Sequence, residues 1–173
     1  TTGPGGTNAL TGVLCAYLDS IPMIVISGQV RYETTIKSTG LKLRQFGEQE
    51  YSIIDSVKPM TKYAEMLEDP QNIRKCLECA YWSAMEGRRG PVWIDIPLNI
   101  QNAIIETENL EGFECKEKGS VVNEVDQILN ELDKAKRPVI LAGSGIRSSG
   151  AIDLFRKLIK KINIPVLMAT SIG

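Results

Sequence analysis

A chain of 173 residues, 43% hydrophobic and 24% charged, has the size of one domain or of one domain and part of another, and would expose about 8,000 Å² if it folded compactly. Its 20 Lys+Arg against 21 Asp+Glu give a net charge of −1, which offers no field to gather a phosphate backbone, so nucleic acid is not an expected partner. It contains no histidine, which removes Ser-His-Asp and Cys-His catalysis and every imidazole-ligated metal.

In chain order, the spacing of Leu10, Val13, Leu14, Tyr17 and Leu18 predicts a helix over 7–19, reached through a glycine- and proline-rich turn. MIVIS at 23–27 reads as a strand, apolar throughout and so buried on both faces. The polar stretch 28–48 is too long for a turn and marks a functional loop or a subunit contact. A short helix is predicted over 49–57, halted before Pro59. Asp69 suits an N-cap and Pro70 a first helical position. The helix they open carries Ile73, Leu77, Ala80, Tyr81 and Ala84 along its inner side and ends at Gly87 and Gly90. VWIDI at 92–96 is a second strand. From 101 to 120 five glutamates without lasting periodicity read as a solvated linker.

A fresh unit follows, with a helix over 121–134, a strand at 138–142, a turn at 143–150, a helix over 151–162 and a strand at 165–169. Strand, helix, strand with apolar strands is a parallel unit. The expected fold class is therefore α/β, with open parallel sheets covered by helices, in two partial domains (1–100 and 121–173) joined by the linker. Both domains are expected to be incomplete, the first at its front and the second at its end. No run of apolar residues spans a bilayer, and the opening residues lack the pattern of a signal peptide. Cys76 and Cys79 fall within a helix with no second pair to complete a zinc site, so they are read as buried, reduced thiols of a cytoplasmic protein.

Several residues can carry chemistry. The glycines in Thr2-Gly3-Pro4-Gly5-Gly6-Thr7-Asn8 let backbone approach a flat or anionic group, or serve a tight turn alone. Gly143-Ser144-Gly145 follows a strand at the crevice position of an open sheet but lacks the third glycine of a dinucleotide fingerprint. Gln49 and Glu50 pair an amide with a carboxylate. Asp95 is a buried carboxylate, expected to accept backbone N–H bonds near Pro97. Lys58 and Lys62 are read as solvated, Trp82 and Trp93 as packing, and Arg88 and Arg89 as charges favoured at a helix C-terminus.

TTGPGGTNALTGVLCAYLDSIPMIVISGQV, GEQEYSIIDSVKPMTKY and GRRGPVWIDIPLNIQ together resemble the second half of the pyrimidine-binding domain of thiamine-diphosphate enzymes of the acetolactate synthase type. KAKRPVILAGSGIRSSGA and INIPVLMATSIG resemble the start of that family's central domain. The resemblance implies a lyase or carboligase acting on a 2-oxo acid, with Gly3, Pro4 and Gly5 against the aminopyrimidine, Asn8 nearby, and Gln49 toward the reaction centre. It implies thiamine diphosphate with Mg2+, whose ligands and whose activating glutamate lie outside this sequence. It also implies a homodimer or tetramer, and an inert chain in isolation. Gly143, Ser144, Gly145 and Thr170 occupy the crevice where such enzymes place FAD. Two departures stand out: Glu48 replaces the phenylalanine of a Phe-Gln-Glu, and Lys58 replaces an arginine that holds FAD and offers a planar fork lysine lacks. The contrasting expectation is a non-catalytic nucleotide-binding or regulatory α/β domain.

Overall fold

A computed structural model describes residues 2–115 and 124–169. The chain divides into two compact units, Thr1–Lys116 and Glu117–Gly173.

The first unit opens with a 3-10 segment, Gly3–Ala9, that runs directly into α1 (Leu10–Leu18). Strand β1 (Met23–Gln29) follows, then the one-turn helix α2 (Ile36–Thr39), α3 (Ile53–Val57) and strand β2 (Tyr63–Met66). Helix α4 (Ile73–Met85), strand β3 (Pro91–Pro97) and the short α5 (Leu98–Gln101) complete it. The three strands form one parallel sheet in the order β1-β3-β2. β3 is central, and its buried run from Pro91 to Asp95 sorts by alternation to two faces. Trp93 joins Val13, Ile53, Ile54, Val57 and Met66 on one face. Val92 and Ile94 meet Leu67, Cys76, Ala80 and Ala84 on the other.

The predicted cap is in place: the Asp69 carboxylate accepts the Gln71 N–H at 2.9 Å, with Pro70 at the first position of a 3-10 turn leading into α4. The inner side of α4 is narrower than its periodicity suggests. Cys76, Ala80 and Ala84 are buried, whereas Tyr81 is 62% exposed, because only small residues fit between this helix and the strands. Burial pushes the Cys76 thiol upward and keeps it protonated. Strand β2 is an addition to the sequence reading, and α3 ends at Val57, before Pro59 as predicted, although it starts at Ile53 rather than at 49 and passes into the 3-10 turn Lys58–Met60. β1 is not buried on both faces as expected: Ile24 and Ile26 are exposed, and β1 lies at an edge of the sheet.

Residues 110–113, predicted to be solvated linker, are tied to α4. Glu111 pairs with Lys75 at 2.9 Å, the Phe113 N–H donates to Glu78 at 2.7 Å, and the Phe113 ring lies 5.6 Å from Trp82. Arg88 does not serve its own helix either; it donates to Ser20 and to the Leu18 carbonyl at the end of α1.

The second unit comprises α6 (Val125–Lys134), β4 (Ile140–Ala142), α7 (Gly145–Ser148), α8 (Ile152–Ile162) and β5 (Val166–Met168), with β4 and β5 parallel. Val125, Ile128 and Leu129, the apolar residues of α6, are more than half exposed, because a two-stranded sheet cannot enclose them.

Candidate functional site

The opening turn and Gln49 meet. Gly3 is buried at φ +56°, and a β-carbon there would lie 1.8 Å from the Gln49 carbonyl oxygen. Only glycine permits that approach and that backbone conformation together. The turn that presents Gln49 is closed by the Glu50 N–H donating to the Gly47 carbonyl at 3.2 Å, and Gln49 itself adopts φ +58°. A left-handed conformation at a non-glycine residue costs about 1–2 kcal/mol and marks a position held by its surroundings. The Gln49 side chain is exposed and has no partner among the described residues. Pro4 and Asn8 are exposed and Gly5 is half-buried. The part of the turn open to a flat ring is thus Pro4, Gly5 and Asn8, while Gly3 acts by letting Gln49 lie against it.

Glu50, weighed in the sequence as a solvent-facing partner of Gln49, is buried and organises the loop. Its carboxylate accepts the Ile36 N–H at 2.6 Å and the Phe46 N–H at 2.9 Å, drawing two distant points of the 30–48 segment together. Gly47 lies so close to Thr34 that a β-carbon would fall 2.6 Å from its carbonyl oxygen. Nothing local in the sequence announces this clamp, since its donors are main-chain groups. Replacing Glu50 with alanine strands two N–H groups. We expect trypsin to cut E50A at Lys42 or Arg44 about tenfold faster than the parent, read by limited proteolysis and mass spectrometry.

Behind the turn lies a buried polar chain. The Trp93 Nε1–H donates to Ser27 Oγ at 2.8 Å, and the Ser27 hydroxyl donates to Asp95 Oδ1 at 2.5 Å. The Gln29 amide donates to Asp95 Oδ2 at 2.9 Å and to the Tyr51 carbonyl at 2.8 Å. Asp95 is therefore satisfied by side chains across the β1–β3 pairing rather than by local backbone, because Ser27 stands directly opposite it in register. Burial pushes its pKa above the ordinary carboxylate value, with the Ser27 and Gln29 hydrogen bonds opposing that rise. The folded state consequently binds this proton more tightly than the unfolded state. Its contribution to stability is full below the unfolded value and declines as pH climbs through the folded one. Denaturant melts across that window are expected to show this decline in the parent and its absence in D95N.

In the second unit, Gly143 follows β4 and Gly145 opens α7, and β-carbons there would meet nothing within 4 Å. Thr170 lies outside the described residues. Lys62 is not solvated along its length: its ammonium donates to the Glu86 carbonyl at the end of α4, and burial lowers its pKa. Lys58 pairs with Asp55 at 3.3 Å. Among the described residues no helix is long and apolar enough to cross a membrane.

Comparison with known proteins agrees with this architecture. Residues 1–50 match the model of the thiamine pyrophosphate enzyme N-terminal TPP binding domain, and residues 125–172 match the model of the thiamine pyrophosphate enzyme central domain. The acetolactate synthase large subunit of Lactococcus lactis is 37% identical over 96% of this chain, which spans 28% of that relative. The isozyme 3 large subunit of the Escherichia coli acetolactate synthase is 31% identical, again over 96% of this chain and 29% of its own length. Among solved structures, the benzoylformate decarboxylase of Polynucleobacter necessarius superposes with a TM-score of 0.77 at 25% identity, covering 97% of this chain and 30% of that one. With the two domain matches in order along one chain, and with these relatives aligned over nearly all of it, the chain belongs to the thiamine pyrophosphate enzyme family.

Proposed function

We propose that this chain is a segment of an acetolactate-synthase-like enzyme that decarboxylates a 2-oxo acid and joins the product to a second carbonyl compound. Residues 1–100 are its share of the pyrimidine-binding domain, 101–120 the connection, and 121–173 its share of the central domain. The observation that carries this reading is the seating of Gln49 on Gly3, which brings the exposed Pro4–Asn8 edge and an exposed amide to one place.

Pro4, Gly5 and Asn8 would hold the aminopyrimidine of thiamine diphosphate, and the cofactor's thiazolium supplies the electron sink for decarboxylation. The chain's own residues bind and orient. The left-handed turn fixes where the Gln49 amide projects, and that amide is free to hydrogen-bond a substrate carboxylate or carbonyl. The proton-transferring glutamate and the Mg2+ ligands belong to other segments. The working assembly is a cytoplasmic dimer or tetramer. FAD is an optional second cofactor at Gly143, Ser144, Gly145 and Thr170, and flavin absorbance of the purified full-length protein decides that point.

The central test is made on the full-length protein. Thiamine diphosphate with Mg2+ should bind saturably, and a 2-oxo acid should release carbon dioxide. Absence of both would overturn the proposal. Gln49→Ala should lower kcat/KM by about 10–100-fold with cofactor affinity nearly unchanged, as expected for loss of a positioned hydrogen bond to substrate.

A further inference from the structure

We propose that the cavity between the 30–48 loop and α3 receives a second carboxylate, carried on the distal end of the 2-oxo acid, and that Arg44 selects it; this rests on the functional reading above. The cavity measures about 480 Å³, within the range of small-molecule sites. Lys37 and Arg44 line it from the loop, and Ser52, Asp55 and Lys58 from the side of α3.

Most charged groups around it already have partners, the Asp95 carboxylate among them, which accepts from Ser27 and Gln29. Lys37 is paired with Glu68, and Lys58 with Asp55. Asp55 also accepts the Ser52 hydroxyl at 2.7 Å. The Glu50 carboxylate is spent on the Ile36 and Phe46 N–H groups. Arg44 alone among these charged side chains has no hydrogen-bond or ion-pair partner among the described residues. One unmatched guanidinium, in a wall that also carries Asp55 and Glu50, suits a single negative charge. A phosphate would bring nearly two charges against those acids. The planar fork of Arg44 matches the two oxygens of a carboxylate.

The backbone next to the exposed Arg44 is tethered. Arg44 lies two residues before Phe46, whose N–H is fixed by Glu50, the neighbour of Gln49. Gln29, Tyr51 and Asp95 line both this cavity and the narrow gap behind Gly3 and Gly6, so the cavity adjoins the opening turn.

The test uses the full-length enzyme with thiamine diphosphate and Mg2+, comparing 2-oxoglutarate with 2-oxobutyrate. The parent should favour 2-oxoglutarate. Arg44→Gln should lower the ratio of the two kcat/KM values by about 30-fold, and Arg44→Lys should recover only part of it, because lysine lacks the fork. A second readout is independent of turnover: glutarate should bind the cofactor-free enzyme by calorimetry, and binding should be lost in R44Q. An unchanged ratio in R44Q, a parent preference for 2-oxobutyrate or for a phosphonate-tailed analogue, or glutarate binding indifferent to Arg44 would each overturn the assignment. Failure of the parent to bind thiamine diphosphate would instead overturn the broader functional reading, leaving glutarate binding to decide the cavity.

Discussion

Gly3→Ala is expected to destabilise the first unit by about 2–5 kcal/mol. Two costs combine. Holding a β-carbon at a left-handed φ costs about 1–2 kcal/mol, and displacing well-packed neighbours costs about 1–3 kcal/mol more. The neighbour here is the backbone carbonyl of Gln49, 1.8 Å from the new atom, so no rotamer change relieves it. The damage therefore falls on folding and on Gln49 as well as on any ligand at the turn. The measurement is the urea midpoint of G3A beside that of G143A. The latter adds a methyl group facing open space and should lie within about 0.5 kcal/mol of the parent.

Asp95→Ala is expected to cost about 3–5 kcal/mol. Asp95 is 1% exposed and accepts from Ser27 and Gln29, both also buried. Truncation leaves the Ser27 hydroxyl without an acceptor and the Gln29 amide with only the Tyr51 carbonyl. Each stranded buried donor costs about 1–3 kcal/mol, and the vacated volume adds to that. Asn keeps the shape and one acceptor oxygen, so D95N should lose roughly half as much. Thermal or urea melts of the two variants check the order. If D95A melts with the parent, the chain from Trp93 to Tyr51 is not what holds β1 against β3.

What could be read from the sequence follows the range of each interaction. The start of α4 was legible because Asp69, Pro70 and Gln71 are neighbours and the cap closes within three residues. The strands predicted at 23–27 and 92–96 were legible as apolar runs, although in β1 Ile24 and Ile26 of that run are exposed. Strand β2 was not: YAEM carries a glutamate and owes its extended form to pairing with β3. The extra width of the apolar stripe on α4 misled, because Leu77 and Tyr81 fit its period while the space against the sheet admits only Cys76, Ala80 and Ala84. At the candidate site, the residue types of the opening turn were legible and their contacts were not. The seating of Gln49 on Gly3 joins segments distant in sequence, and the partners of Glu50 are main-chain groups that every residue carries.

The position of β3 also sets a timetable for the chain's own synthesis. It is the middle strand of the sheet and the last of the three to be made, with Asp95 pairing to Ser27 across 68 residues of sequence. At roughly 5–20 residues per second, about 3–14 s pass on the ribosome between the appearance of β1 and that of its partner. Throughout that interval the main-chain groups of β1 that pair with β3 have no partner strand, and Met23 and Val25 lack the Trp93 cluster they pack against. The nascent segment is thus a natural client for a holding chaperone until residues 91–97 emerge.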